Sequence, residues 1–134
     1  MNIHLEPATA AETADTLRAS ADVIRTRGWA QGNLIRHSGT VCAVGAMIVA
    51  RNSEIGFIIT DVTAIRAIDH DTVFGSAVTT LCRFLAHDPE PFHGTIVGDG
   101  SGIEEWNDQD DMTEGIVVQA MEKAAAWCEE QGHA

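Results

Sequence analysis

The side chains with the most chemistry to offer are three cysteines, six histidines and a dense set of carboxylates. Cys42 stands near the start of the apolar stretch Val41 to Ala50, which reads as a helix. A thiol placed there meets the positive end of the helix dipole and unpaired backbone N–H groups, both of which favour the thiolate. Gln31 lies upstream, His70, His87 and His93 lie downstream, and Asn107 follows. This is the chain order of a cysteine nucleophile, a histidine base and an orienting amide. Cys42 and His70 are therefore the catalytic candidates for a small hydrolase or thiol enzyme. Against that, the local signature around such a cysteine is missing, and Gln31 lies eleven residues before it. The plainer reading is a small buried thiol packed against Trp29 or Trp106.

Metal chemistry has weaker support. Asp69-His70-Asp71 and His87-Asp88, with His93, supply oxygen and imidazole ligands. A hydrolase centre built on His-Asp pairs also needs a further histidine and aspartate, which His37 and Asp99 supply only awkwardly. There is no H-E-x-x-H or C-x-x-C pattern. No metal is expected, with Asp71 and Asp88 at helix ends and His70 and His87 in turns. The glycine-rich run GDGSG at 98–102 lacks a phosphate-loop lysine and sits among acidic residues, so a nucleotide is not expected either. It fits a calcium loop only in part. No cofactor is implied.

The carboxylates say more. Eight Lys and Arg against twenty Asp and Glu give a net charge of −12. Residues 1–83 are nearly neutral, whereas Lys123 is the single cation after Arg83. Glu104, Glu105, Asp108, Asp110, Asp111 and Glu114 crowd into eleven positions. Acids before a helix stabilise its N-terminal end, but that role does not need six of them. Glu104, Glu105, Asp108, Asp110 and Asp111 are candidate contacts for a basic partner. Phosphate-tracking binding to nucleic acid, or to an anionic membrane, requires the opposite charge.

The elements that position these groups are mainly helical. Thr9 and Glu12 make a capping box, and Ala14, Leu17, Ala21 and Ile24 form one face of a first helix that Gly28 closes. An irregular segment, Trp29 to Gly39, leads to Thr40, expected to cap a second helix over Val41 to Arg51. Ile55 to Ile59 reads as an extended or core-filling run, and Asp61 to Ile68 as a short helix. Asp71 caps a third long helix, Thr72 to Ala86, striped by Phe74, Ala77, Val78, Leu81 and Leu85. Pro89 and Pro91 end it. Thr95 to Gly102 reads as a loop, with Ser101 capping a short turn that holds Ile103 and Trp106. Asp111 and Glu114 suggest a second capping box, opening a last helix to Gln131. The sum is a mainly α protein: a compact bundle of four principal helices plus short ones, in one domain over 1–134. The alternative is a small α+β domain pairing Ile55–Ile59 with Thr95–Val97.

The hydrophobic fraction is 45%, enough for a core. No run reaches the ~20 apolar residues of a membrane span. The N-terminal stretch has neither the basic start nor the apolar core of a secretory signal. Three widely spaced, unpaired cysteines suit a reducing cytoplasm.

Three segments together carry a resemblance: RGWAQG at 27–32, VCAVGAM at 41–47, and EWND at 105–108 before the helix start at Thr113. The pattern of Gly28, Trp29, Gly32, Cys42, Ala43, Gly45, Ala46, Trp106, Asn107 and Asp108 resembles an uncharacterised family, a domain of unknown function, of small actinobacterial and actinobacteriophage proteins. Residues 52–72 and 88–100 fall outside the likeness. The resemblance implies origin and supplies no activity. Trp29, Gly32, Cys42, Gly45, Trp106 and Asn107 read as structural. The expected function is non-enzymatic: a small cytoplasmic protein whose acidic C-terminal half contacts a protein partner, a host protein if the gene is phage-borne. A homo-oligomer is compatible with the same features.

Overall fold

The computed structural model describes residues 4–32, 34–36, 38–55, 68–87 and 100–132. Five α-helices account for most of them: α1 (Ala10–Arg27), α2 (Ala43–Ile55), α3 (Thr72–His87), α4 (Gly100–Asn107) and α5 (Glu114–Gly132). A 3-10 turn, Ile68–His70, precedes α3. The mainly α expectation holds. Among the described residues there is no strand, only single bridges from Val41 to Trp29 and to Ile35. The segments 56–59 and 95–97 proposed as a strand pair, residues 61–67 of the expected short helix, and Pro89 and Pro91 lie outside the described residues.

α1 is the hub, packing along α5 most extensively and then against α2 and α3. Its buried face is made of Thr13, Ala14, Thr16, Leu17, Ser20, Ala21 and Ile24. Small residues let the neighbours approach closely. Their hydroxyls need partners in such a place, and the preceding turn supplies them: Ser20 Oγ donates to the Thr16 carbonyl at 2.7 Å and Thr16 Oγ1 to the Glu12 carbonyl at 3.0 Å. The capping box is present in both directions, with Thr9 Oγ1 accepting from the Glu12 N–H and Glu12 Oε1 accepting from the Thr9 N–H. Gly28 closes α1 at φ 92°, a left-handed conformation that a Cβ would strain.

Three expected caps are corrected. Val41 does not enter α2, because its N–H donates to the Gly28 carbonyl and its carbonyl accepts from the Ala30 N–H. That chain-to-chain pairing delays the helix to Ala43, so Cys42 rather than Thr40 is the cap. Its Sγ accepts from the Gly45 N–H at 3.4 Å. At the last helix Thr113 takes the place expected of Asp111: Thr113 Oγ1 accepts from the Ile116 N–H at 3.2 Å. A Thr one residue before the helix reaches its third N–H, which Asp111 is too far upstream to do. Ser101 lies inside α4 rather than at its cap.

Asp71 caps α3, its Oδ2 accepting from the Phe74 N–H at 2.8 Å. It also forms an ion pair that sequence reading had not found. Arg51, the only cation of α2, donates through Nε to Oδ2 at 2.7 Å and through Nη2 to Oδ1 at 3.0 Å. The backbone N–H of His4 adds a bond to Oδ1 at 2.8 Å. Burial by itself would raise the Asp71 pKa. The Arg51 hydrogen bonds, followed by the His4 and Phe74 N–H groups, outweigh it and hold the carboxyl below its ordinary 3.8.

A depressed folded pKa contributes stability above the unfolded value, and the contribution is lost as pH falls through the folded value. Urea unfolding should therefore show stability declining as pH drops below 3.8, more steeply than in Asp71→Asn. At neutral pH, Asp71→Asn should cost about 3–5 kcal/mol by stranding the Arg51 charge. Adding Arg51→Met should recover part of that loss.

Candidate functional site

The start of α2, the end of α4 and the segment after α1 meet around Asn107, which is fully buried. Its Oδ1 accepts from Trp29 Nε1 at 2.8 Å and from the Ala43 N–H at 3.0 Å. Its Nδ2 donates to the Ala30 carbonyl and to Asp108 Oδ1, each at 3.0 Å. A primary amide has two donors and two acceptor lone pairs, and all four are engaged. Asn107 thus satisfies the first N–H of α2 from outside that helix, where such groups have no internal acceptor.

Neighbouring side chains extend this clasp. Gln31 Nε2 donates to the carbonyls of Asn107 and Gln109 at 3.0 and 2.8 Å. Asp108 Oδ1 also accepts from the Gly32 N–H at 2.9 Å. Trp106, one residue before Asn107, is fully buried in the core. Gly45 lies where α2 crosses the backbone of Leu34, and a Cβ there would stand 1.8 Å from the Leu34 carbonyl oxygen. Only glycine fits. Trp29, Gly32, Cys42, Gly45, Trp106 and Asn107 therefore fall within one contiguous region.

Beside the clasp is a cavity of about 360 Å³ lined by Gly32, Leu34, Cys42, Glu104 and Asp108. Cys42 is 3% exposed. Burial pushes its thiol pKa up, the Gly45 and Val44 N–H groups oppose this, and Glu104 and Asp108 push it further up. Desolvation, and then the two carboxylates, act against the activation that a helix N-terminus would give, in keeping with the plainer reading of Cys42 as a small buried thiol. The other members of the supposed catalytic order are committed to other partners or lie away from Cys42. Asn107 and the Gln31 amide are engaged in the clasp. His70 adjoins Asp71, which is bonded to Arg51, and nine residues of helix separate Arg51 from Cys42 by about 13 Å. His87 stacks on Trp127 with ring centroids 6.0 Å apart. His37, His93, Asp88 and Asp99 lie outside the described residues. Among the described residues no three His, Cys, Asp or Glu side chains gather as metal ligands.

A second cavity, about 240 Å³, opens between α1, α2 and α3, with Glu12 and Asp15 on one side and Arg51 on another. The acids proposed for partner contact are distributed around the α4–α5 junction. Glu105, Asp108, Asp110 and Asp111 are exposed and Glu104 is half-buried at the cavity wall. Asp108 has a second duty, since its carboxylate anchors Gly32.

A family model matches residues 8–126, the span that holds the clasp and the Arg51–Asp71 pair. The chain belongs to DUF6197, a family of unknown function. No curated protein and no solved structure matches it. The short motifs that carried the resemblance in this DUF6197 chain are thus the residues of the clasp.

Asn107→Ala should lower stability by at least about 3 kcal/mol in urea unfolding, because it leaves several buried N–H and C=O groups unpaired at ~1–3 kcal/mol each. Gly45→Ala should be similarly disruptive. In the native protein Cys42 should react with a thiol reagent far more slowly than after unfolding. Equal rates would contradict the buried neutral thiol.

Proposed function

We propose that this DUF6197 protein is a non-enzymatic binding protein of the cytoplasm that engages a basic macromolecular partner through the α4–α5 junction. The observation that carries this reading is an asymmetry in how the acids are paired. Glu122 and Glu129 of α5 form ion pairs with Arg25 and Arg18 of α1. Glu104, Glu105, Asp108, Asp110 and Glu114 join no ion pair among the described residues. An uncompensated anionic face steers a cationic partner and repels phosphate. The buried, neutral thiol of Cys42 supports a binding role over thiol catalysis. The likeness to small actinobacterial and phage proteins favours a host protein as the partner.

The test uses Glu104→Gln, Glu105→Gln and Asp110→Asn together, leaving Asp108 intact because it holds the clasp. Immobilised wild-type protein should retain a basic host protein at low salt and release it near ~0.5 M salt, where screening is strong. The triple variant, with unchanged melting, should fail to retain it. Retention of the same protein by the variant would remove the proposal.

A further inference from the structure

The cavity beside the clasp carries two carboxylates in a place where helix stability does not ask for them. Glu104 and Asp108 both line it, with Gly32, Leu34 and Cys42. They stand four residues apart, and the Asp108 N–H donates to the Glu104 carbonyl at 3.0 Å, so the helical turn continues through Asp108. That spacing puts their Cβ atoms on one face, about 5–6 Å apart, where like charges repel. Both also stand at the carbonyl end of α4, where the helix dipole disfavours anions and favours a cation.

The clasp orients one of the pair. Asp108 Oδ1 accepts from the Gly32 N–H at 2.9 Å and from Asn107 Nδ2 at 3.0 Å. Among the described residues no donor reaches Asp108 Oδ2 or the Glu104 carboxylate. Arg36, the cation of the neighbouring segment, donates through Nη2 to the Gln31 carbonyl at 2.9 Å and pairs with neither acid. Burial, ahead of other influences, raises the Cys42 pKa, so the thiol is neutral and the charge of the cavity comes from the two carboxylates.

The cation that fits is wide and planar. Among the described residues no three His, Cys, Asp or Glu side chains converge as metal ligands. A guanidinium presents five N–H donors in a rigid fork that can reach two carboxylates at once. Leu34 gives an apolar wall for the stem of such a side chain. The volume, about 360 Å³, is that of a small ligand pocket.

We infer that this cavity is a guanidinium pocket, receiving an arginine side chain of the basic partner between Glu104 and Asp108. This rests on the partner-binding reading of the α4–α5 junction, to which it adds the residue type the partner presents.

The probes are N-acetyl-arginine methylamide and its lysine and citrulline counterparts, titrated into the nitrogen-15-labelled intact chain. The Gly32 N–H, bonded to Asp108, reports the cavity. The arginine probe should shift it saturably, with a Kd on the order of 1 mM. Lysine should bind about fivefold more weakly, and uncharged citrulline should not saturate. Glu104→Gln should weaken the arginine probe about tenfold, the loss expected of one charged hydrogen-bonding partner. Its melting temperature should not fall, because a like-charge pair is relieved. Glu105→Gln removes the same charge one residue along, outside the lining, and should weaken the probe less than about twofold in ~0.15 M salt. Equal losses in the two variants, equal binding of arginine and lysine, or no saturable shift with arginine would each overturn the pocket. Any of these alongside capture of a basic host protein leaves the acidic face standing without the pocket. Saturable arginine binding with no such capture supports the pocket and removes the partner reading.

Discussion

One buried amide ties together three parts of the chain that lie far apart in sequence. Asn107 joins the Trp29 ring, the Ala30 carbonyl and the first N–H of α2, groups up to 78 residues away in sequence. Each of those groups is buried or partly buried and would otherwise face an apolar core without a partner. Much else follows from this arrangement. Cys42 can serve as a weak cap because Asn107 already satisfies the adjacent N–H. Asp108, next in the chain, is carried to Gly32, and Gln31 is brought onto the carbonyls beyond α4. The crossing at Gly45 is tight because Leu34 belongs to the same clasped segment.

Local rules were readable where one turn of chain supplied both partners. Thr9 with Glu12, and Asp71 ahead of Phe74, lie three residues apart, and both appear as expected. The misplaced caps failed for identifiable reasons. At Val41 a backbone bridge to the segment after α1 competed with helix formation, and nothing in the local pattern announces such a bridge. At the last helix two acceptable caps stood two residues apart, and position relative to Ile116 favoured Thr113. The Arg51–Asp71 pair left only a faint signal, a lone cation at the end of the apolar run VGAMIVA. The W-N-D and G-W-x-x-G motifs were visible as a pattern, but their chemistry was not, since it depends on contacts across most of the chain.

The structure also changes the meaning of the charge imbalance. In sequence, residues 1–83 are near neutral and the remainder is strongly acidic. In space, α1 lies along α5, so Arg18 and Arg25 meet Glu129 and Glu122. The two halves partly neutralise one another along this long contact. Glu104, Glu105, Asp108, Asp110 and Glu114 join no such pair among the described residues, and they lie at the α4–α5 junction beside the clasp and its adjoining cavity.

The span of the clasp has a consequence for biosynthesis. Chains emerge N-terminus first at about 5–20 residues per second, and non-local contacts must wait for both ends. α2, with Ala43, Ala46 and Met47 fully buried in the finished protein, is made long before Asn107 arrives to seal its start. For several seconds that apolar helix has α1 for company but no closure at its leading end. A nascent chain of this protein is therefore most exposed to holdase chaperones and to aggregation in the interval before the W-N-D segment leaves the ribosome.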